Sequence, residues 1–297
     1  MTDALARRVR AIEGLIKRDP RAAWAADPWG GRARPAGYER AAAGLSEVAV
    51  RWPRRAWPYA WRGELRRDQG RYAEALADFE RALRLGGRDA WTHALAARAR
   101  LGLGRGVEAL RGLERACRLE PAAAWLHAWR GELCRQLGRR EEAAAAYARA
   151  AALEPEDPLV HAWWGAALRQ LGRPAEALPR LERALALSPG NGHARQERGK
   201  CLLALGRAAE GLADFTRAAE DDPGRLQVFD ADDPAEARRL EKLFCAALGQ
   251  GAPARAWRGW ARRLQRDYRG ALSDFSAARR GAFPRWLAEL WRAEALL

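Results

Sequence analysis

Indole and guanidinium groups recur along this chain at a spacing that suits recognition. Trp57, Trp91 and Trp125 stand 34 residues apart, as do Trp129 and Trp163, and Trp61 lies two such periods before Trp129. Arg67, Arg135 and Arg169 fall on the same grid. An indole offers a broad apolar plane with one N–H donor, and a guanidinium offers a fork for carboxylates or phosphates. Both groups are enriched where proteins bind other molecules. Both also stack on nucleic-acid bases. The competing explanation is packing: indoles wedged between helices, and Arg67 and Arg135 paired with Glu64 and Glu132 three residues before them.

Other chemistry is thinner. His93, His127 and His161 also recur every 34 residues. They cannot share one metal ion, because equivalent helices lie about 10 Å apart and zinc draws its ligands to about 2 Å. They read as packing residues. Asp230, Asp232 and Asp233 lack the glycine and bidentate Glu of a calcium loop, so helix capping is the better expectation. There is no phosphate-cradling glycine loop, no H-E-x-x-H, no nucleophile elbow and no C-x-x-C. The chain is therefore read as no enzyme, with no catalytic residues, no metal and no cofactor. Cys117, Cys134, Cys201 and Cys245 sit in apolar helical contexts and read as small buried residues of a reducing compartment.

The formal charge is +15, carried almost wholly by Arg, since Lys17, Lys200 and Lys242 are the only lysines. Residues 1–55 hold 12 basic against 6 acidic side chains and residues 252–297 hold 10 against 4, which leaves the middle near neutral. A basic chain suits an acidic partner or nucleic acid, but GC-rich coding that favours Arg over Lys is the preferred explanation. No apolar stretch approaches the ~20 residues that span a bilayer, and the N-terminus has no signal-peptide pattern. The expectation is a soluble, cytoplasmic protein without membrane contact.

A repeat positions these groups. Gly63, Ala97, Gly131, Gly165 and Gly199 fall 34 apart, as do Gly70, Gly104, Gly138, Gly172 and Gly206. Ala75, Ala109, Ala143, Ala177 and Gly211 form another series, and Ala82, Ala116, Ala150, Ala184 and Ala218 a fourth. Phe79, Leu113, Tyr147, Leu181 and Phe215 lie between those two, and Pro121, Pro155, Pro189 and Pro223 close four units. This pattern of small residues, one large apolar residue and a closing proline resembles the tetratricopeptide repeat family, clearest from Trp129-Arg-Gly131 through Leu137-Gly138, Ala143, Tyr147 and Ala150 to Pro155.

The resemblance implies an all-α fold, a right-handed α-solenoid of antiparallel helix pairs (a superhelix) with one inserted helix. Residues 1–55 are expected to form an N-terminal helix and a degenerate repeat marked by Tyr38, Ala41, Leu45 and Pro53. Five units follow over 56–225, at 56–89, 90–123, 124–157, 158–191 and 192–225. An insertion occupies 226–251: an irregular stretch Leu226–Asp232, then a helix of about 234–248 capped by Asp233 and started by Pro234. One more unit covers 252–285, carrying Gly259, Ala271, Phe275 and Ala278. Pro179 should bend its helix or remove one hydrogen bond. Residues 286–297 read as a terminal first helix lacking a cap, whose Leu290, Ala293 and Leu297 invite self-association, a partner, or continuation in a longer chain.

The resemblance also implies that first helices line a concave groove. It puts Trp57, Trp61, Trp91, Trp125, Trp129 and Trp163 there as partner-binding residues, with Arg67, Arg135 and Arg169, and continues the series to Trp257 and Trp291. Trp57 with Trp61, and Trp125 with Trp129, are four residues apart and expected to stack. The Glu series at 74, 108, 142, 176 and 210 and the Arg series at 81, 115, 149, 183 and 217 fall on second helices and read as a solvated outer face. The function that follows is a scaffold or adaptor holding a peptide or protein surface, acidic or apolar. The alternatives are a nucleic-acid-binding solenoid and the interaction arm of a separate modifying enzyme.

Overall fold

The computed structural model describes residues 35–86, 89–221, 234–246, 251–281 and 283–296. The expected N-terminal helix before residue 35, the side chains of Tyr38 and Ala41, the stretch Leu226–Asp232 and the Asp233 cap lie outside the described residues. Within them are fifteen α-helices and no strand. They fall into two compact units, one ending at Leu137 and one beginning at Gly138. The first contains α1 (Pro35–Arg51), α2 (Trp57–Asp68), α3 (Tyr72–Arg84), α4 (Ala90–Gly102), α5 (Gly106–Leu119) and α6 (Ala124–Gln136). The second contains α7 (Arg140–Leu153), α8 (Pro158–Gln170), α9 (Pro174–Leu187), α10 (Gly192–Ala204), α11 (Ala208–Asp221), α12 (Pro234–Ala246), α13 (Ala252–Leu264), α14 (Tyr268–Ala278) and α15 (Arg285–Glu294).

First and second helices of a pair differ in what they bury. The second helix α3 buries Ala75, Leu76, Phe79 and Ala82, a single stripe at helical spacing. The first helix α4 buries residues nearly all round, from Ala90 through Thr92 and His93 to Ala99. A helix flanked on several sides must be apolar or small on several sides. The outer Glu and Arg series are exposed except Glu142, which is half-buried.

Helices of a pair approach where side chains are missing. A Cβ on Gly165 would lie 2.5 Å from Cγ of Leu181, and one on Gly63 would lie 2.8 Å from Phe79. Between the helices the chain reverses through Gly70, Gly104, Gly172 and Gly206, all at positive φ. Arg71 N–H then donates to Arg66 C=O at 2.8 Å, closing the helix end. Pro179 sits inside α9, which runs unbroken from Pro174 to Leu187. Only the proline's own missing donor is lost, and no helix end follows.

The inserted helix α12 is described over Pro234–Ala246, and the last two residues of the expected span, 247 and 248, lie outside the described residues. Its Glu241 accepts from Arg262 at 2.9 Å and from Gln265 at 2.8 Å. In the first unit Arg100, at the same repeat position as Arg262, reaches Glu80 of the preceding second helix at 3.2 Å. Thus α12 meets α13 as a second helix would. Phe244 is fully buried, 5.9 Å from Phe215 and 6.4 Å from Trp257 between ring centroids. Cys245, expected to be buried, is exposed. It lies next to Phe244 on the helix, so turning Phe244 inward turns Cys245 away. On α15, Trp291 is buried while Trp286 and Leu290 are exposed. Leu297 lies outside the described residues.

The reversal after α13 uses Arg266, at φ 62°, where the same repeat position earlier holds Gly70, Gly104, Gly138, Gly172 and Gly206, all at positive φ. A side chain in the left-handed region costs roughly 1–2 kcal/mol, part of which glycine gives back as chain entropy. Arg266→Gly is expected to stabilise the second unit by about 1 kcal/mol. An upward shift of the urea midpoint at unchanged slope would show it.

Candidate partner-binding face

In the first unit the indoles come together on the first helices. Trp57 and Trp61 have ring centroids 5.3 Å apart at 68°, and Trp125 and Trp129 are 5.0 Å apart at 79°. The expected pairs therefore form, but edge to face rather than stacked. Each ring has a negative face and a positive edge, and the T-shape joins them. Trp91 links neighbouring repeats, 5.6 Å from Trp125 and 6.2 Å from Trp129. It also packs against the cluster that holds Trp61 and Leu65.

These indoles are not equally accessible. Trp61 is sealed at 2% exposure. Trp57, Trp91, Trp125 and Trp129 are half-buried, as is Trp163 in the second unit, whose ring lies 6.1 Å from Tyr147. Trp257 and Trp291, expected on the groove, are buried and lie 4.8 Å apart, with Phe283 5.7 Å from Trp291. At these last two positions the indole is a packing residue. Phe244 of α12 helps to cover Trp257, and the sequence grid alone carries no trace of that cover.

The three arginines are held by carboxylates. Arg67 donates to both oxygens of Glu64 at 2.8 Å and to Asp68 at 2.5 Å. Arg135 donates to Glu132 at 2.8 and 2.7 Å on an exposed surface. Arg169 reaches across to Glu197 on the next first helix at 2.5 Å. Glu197 is buried and also accepts from Lys200 at 2.9 Å. Burial pushes its carboxyl up, but Lys200 and then Arg169 outweigh that and hold it at about 2.

Arg98 was not among the expected site residues. It occupies the repeat position of Glu64 and Glu132, 34 residues from each, and that reversal of charge is the signal that could have found it. Its guanidinium carbon lies 4.7 Å from the Trp129 ring centroid and its nearest carboxylate, Glu64, is 4.0 Å away. Burial and the charge of Arg67 lower its pKa. Beside this pair opens a cavity of about 330 Å³ with Ala97, Leu101, Leu113 and Leu133 as apolar lining and Glu132 and Gln136 at its polar edge. The arrangement can accept an apolar side chain against the indole and an acceptor oxygen on Arg98.

Two recurrent polar devices brace the scaffold instead. His127 Nε2 lies 3.0 Å from Pro121 C=O and His161 Nε2 3.0 Å from Pro155 C=O, so both rings donate to the closing proline carbonyl. Arg195, at the same repeat position, donates to Pro189 C=O. No cluster of potential metal ligands occurs among the described residues. Arg62 with Asp78 (2.9 and 2.6 Å) and Arg198 with Asp214 (2.7 and 2.6 Å) latch first helix to second, and Arg258 with Asp274 repeats the pairing.

A carboxyl whose pKa falls from 4.5 to about 2 on folding contributes stability above pH 4.5 that is lost as pH falls towards 2. Glu197→Gln leaves Lys200 and Arg169 without their carboxylate and is expected to cost about 3 kcal/mol at neutral pH. The deficit should narrow as pH falls from 4.5 towards 2, where the wild-type carboxylate is also neutralised. Urea titrations of both proteins across that range would read it, and a constant deficit would contradict the assignment.

Among the described residues no helix is long and apolar enough to cross a membrane. Comparison with curated proteins gives no match. Among solved structures, a crystal structure of MamA protein superposes with a TM-score of 0.52 at 19% identity, covering 58% of this chain and 94% of that one. A second MamA crystal structure gives 0.51 at 19% identity over 56% of this chain and 96% of its own. These likenesses concern the fold. Tetratricopeptide repeat models match residues 56–89, 94–158 and 168–231, together more than half of the sequence. The chain therefore belongs to the tetratricopeptide repeat family, an all-α solenoid of helix pairs that acts as a protein-interaction scaffold.

Proposed function

We propose that the chain is a non-catalytic adaptor whose first-helix groove binds a peptide or protein surface of apolar and acidic character. In this reading the repeats are the five units of 56–225 and the one at 252–285, and 226–251 interrupts them. The observation that carries it is the cavity beside Trp129 with Arg98 over the ring. Half-buried indoles give a large contact area at low entropic cost, because packing already holds their rotamers. Arg98, with its nearest carboxylate 4.0 Å away, is the guanidinium on this face best placed to take an acidic guest.

Nucleic acid is the weaker reading. Arg67, Arg135 and Arg169 are each bonded to a carboxylate, which a phosphate would have to displace against like charge. Burial pushes the Cys201 thiol up to about 12 and raises Cys117, so both are inert.

Partners isolated from the native cell on the immobilised wild-type chain should bind Trp129→Ala and Arg98→Ala about tenfold more weakly or worse, with melting of the Arg98 variant unchanged. Undiminished binding by Arg98→Ala would remove the groove reading. Retention of an RNA oligonucleotide that falls steeply with salt would favour the nucleic-acid reading.

A further inference from the structure

The second unit holds another cavity, of about 260 Å³, where the second helices α7 and α9 flank the first helix α8. Four of its lining residues depart from what this chain places at the same repeat position elsewhere. Ala144 stands where other second helices carry Leu76, Leu110, Leu178, Leu212 and Leu272. Ala148, one turn on, stands where Glu80, Glu114, Glu182, Thr216 and Ser276 occur. Trp164 takes the place of Arg62, Ala96, Arg130, Arg198 and Arg258, and Arg180 that of Asp78, Gly112, Ala146, Asp214 and Asp274. Residues four apart share a helix face, so the two alanines strip one face of α7 and open a notch. The latches Arg62–Asp78, Arg198–Asp214 and Arg258–Asp274 have no counterpart here, and the two positions hold an indole with a guanidinium over it at 4.0 Å.

Arg180 is left with work to do. Its Nε is buried and has no hydrogen-bond partner, and its charge acts only at a distance on Glu176, one turn earlier, with which it forms no ion pair. An orphaned buried donor is costly unless something supplies an acceptor. The neighbouring Arg173 is already bonded to Glu176 at 2.6 Å. The walls are apolar, with Leu168 and Leu171 beside Trp164. The volume falls just below the roughly 300–1,000 Å³ of small-molecule pockets, which suits a single large side chain.

We propose that this notch is a second binding site, separate from the first-helix groove. It takes one large apolar side chain from a helix of a partner protein, with an aspartate or glutamate one turn away whose carboxylate bonds Arg180. Charge complementarity selects that guest: of the two cations in the lining, Arg173 is already bonded to Glu176, whereas Arg180 bonds no carboxylate.

The test is selection of a phage library of random short peptides on the immobilised full-length chain, with counter-selection on Ala144→Leu. Leucine is what the other second helices carry, so this variant fills the notch with a residue the fold already accommodates. Enriched peptides should place a large apolar residue three or four positions from Asp or Glu. The best of them, made synthetically, should lose about tenfold or more in affinity on Ala144→Leu, on Ala148→Glu and on Arg180→Gln, and none on Trp129→Ala. Absence of enrichment over the counter-selection, enriched peptides lacking a carboxylate, or full affinity for Arg180→Gln would overturn the proposal. Loss of affinity on Trp129→Ala would move the peptides to the groove and also overturn it. If Ala144→Leu fails to fold, Ala148→Glu and Arg180→Gln carry the same comparison.

Discussion

Two helix backbones can lie close only where one of them presents no side chain, and much of this molecule follows from that steric constraint. Gly63, Gly165, Gly199 and Gly259 sit where an added Cβ would press within about 3 Å of the facing helix. Close approach brings the Phe or Leu of the second helix over the glycine. It also sets the distance at which Arg62 can reach Asp78, and Arg198 can reach Asp214, sixteen residues on. No pair buries both its faces alone, so neighbours must stack, and stacking puts first helices side by side. Trp91 against Trp125, and Arg169 against Glu197, are contacts between neighbouring first helices and exist only because of that stacking.

Many arginines among the described residues are paired locally. A surplus of +15 invites a picture of a cationic surface. The structure instead bonds Arg67, Arg135, Arg169 and Arg262 to carboxylates within or next to their own helices. An arginine with five donors in a rigid fork takes such partners readily. Arg98 and Arg180 each lie over an indole, at 4.7 and 4.0 Å, with no carboxylate nearer than 4.0 Å. Both exceptions sit at repeat positions where the charge or size of the residue departs from the chain's own pattern.

Departures from the repeat are therefore as informative as the repeat. Arg266 in place of a glycine marks strain. Ala144 and Ala148 in place of larger side chains mark an opening. The insertion supplies α12, which meets α13 as a second helix does and helps to seal Trp257. The same residue type at the same repeat position thus faces solvent at Trp129 in part and is fully buried at Trp257. Position in the repeat assigns a side chain to a face, and the neighbouring helix decides whether that face stays open.

The amino-acid sequence alone determined the helix pairs, their turns and their register. Those features depend on local rules: a glycine for a positive φ, a small residue for a close crossing, an apolar stripe every turn. It also placed Trp57 beside Trp61 and Trp125 beside Trp129, because four residues make one helical turn. Only the tertiary structure decided which indoles are sealed, which arginines are spent on carboxylates, and that Arg98 and Arg180 stand over tryptophans. Each of those depends on a distance between residues of different helices, and such distances are set by the packing of whole side-chain surfaces, which a linear spacing does not encode.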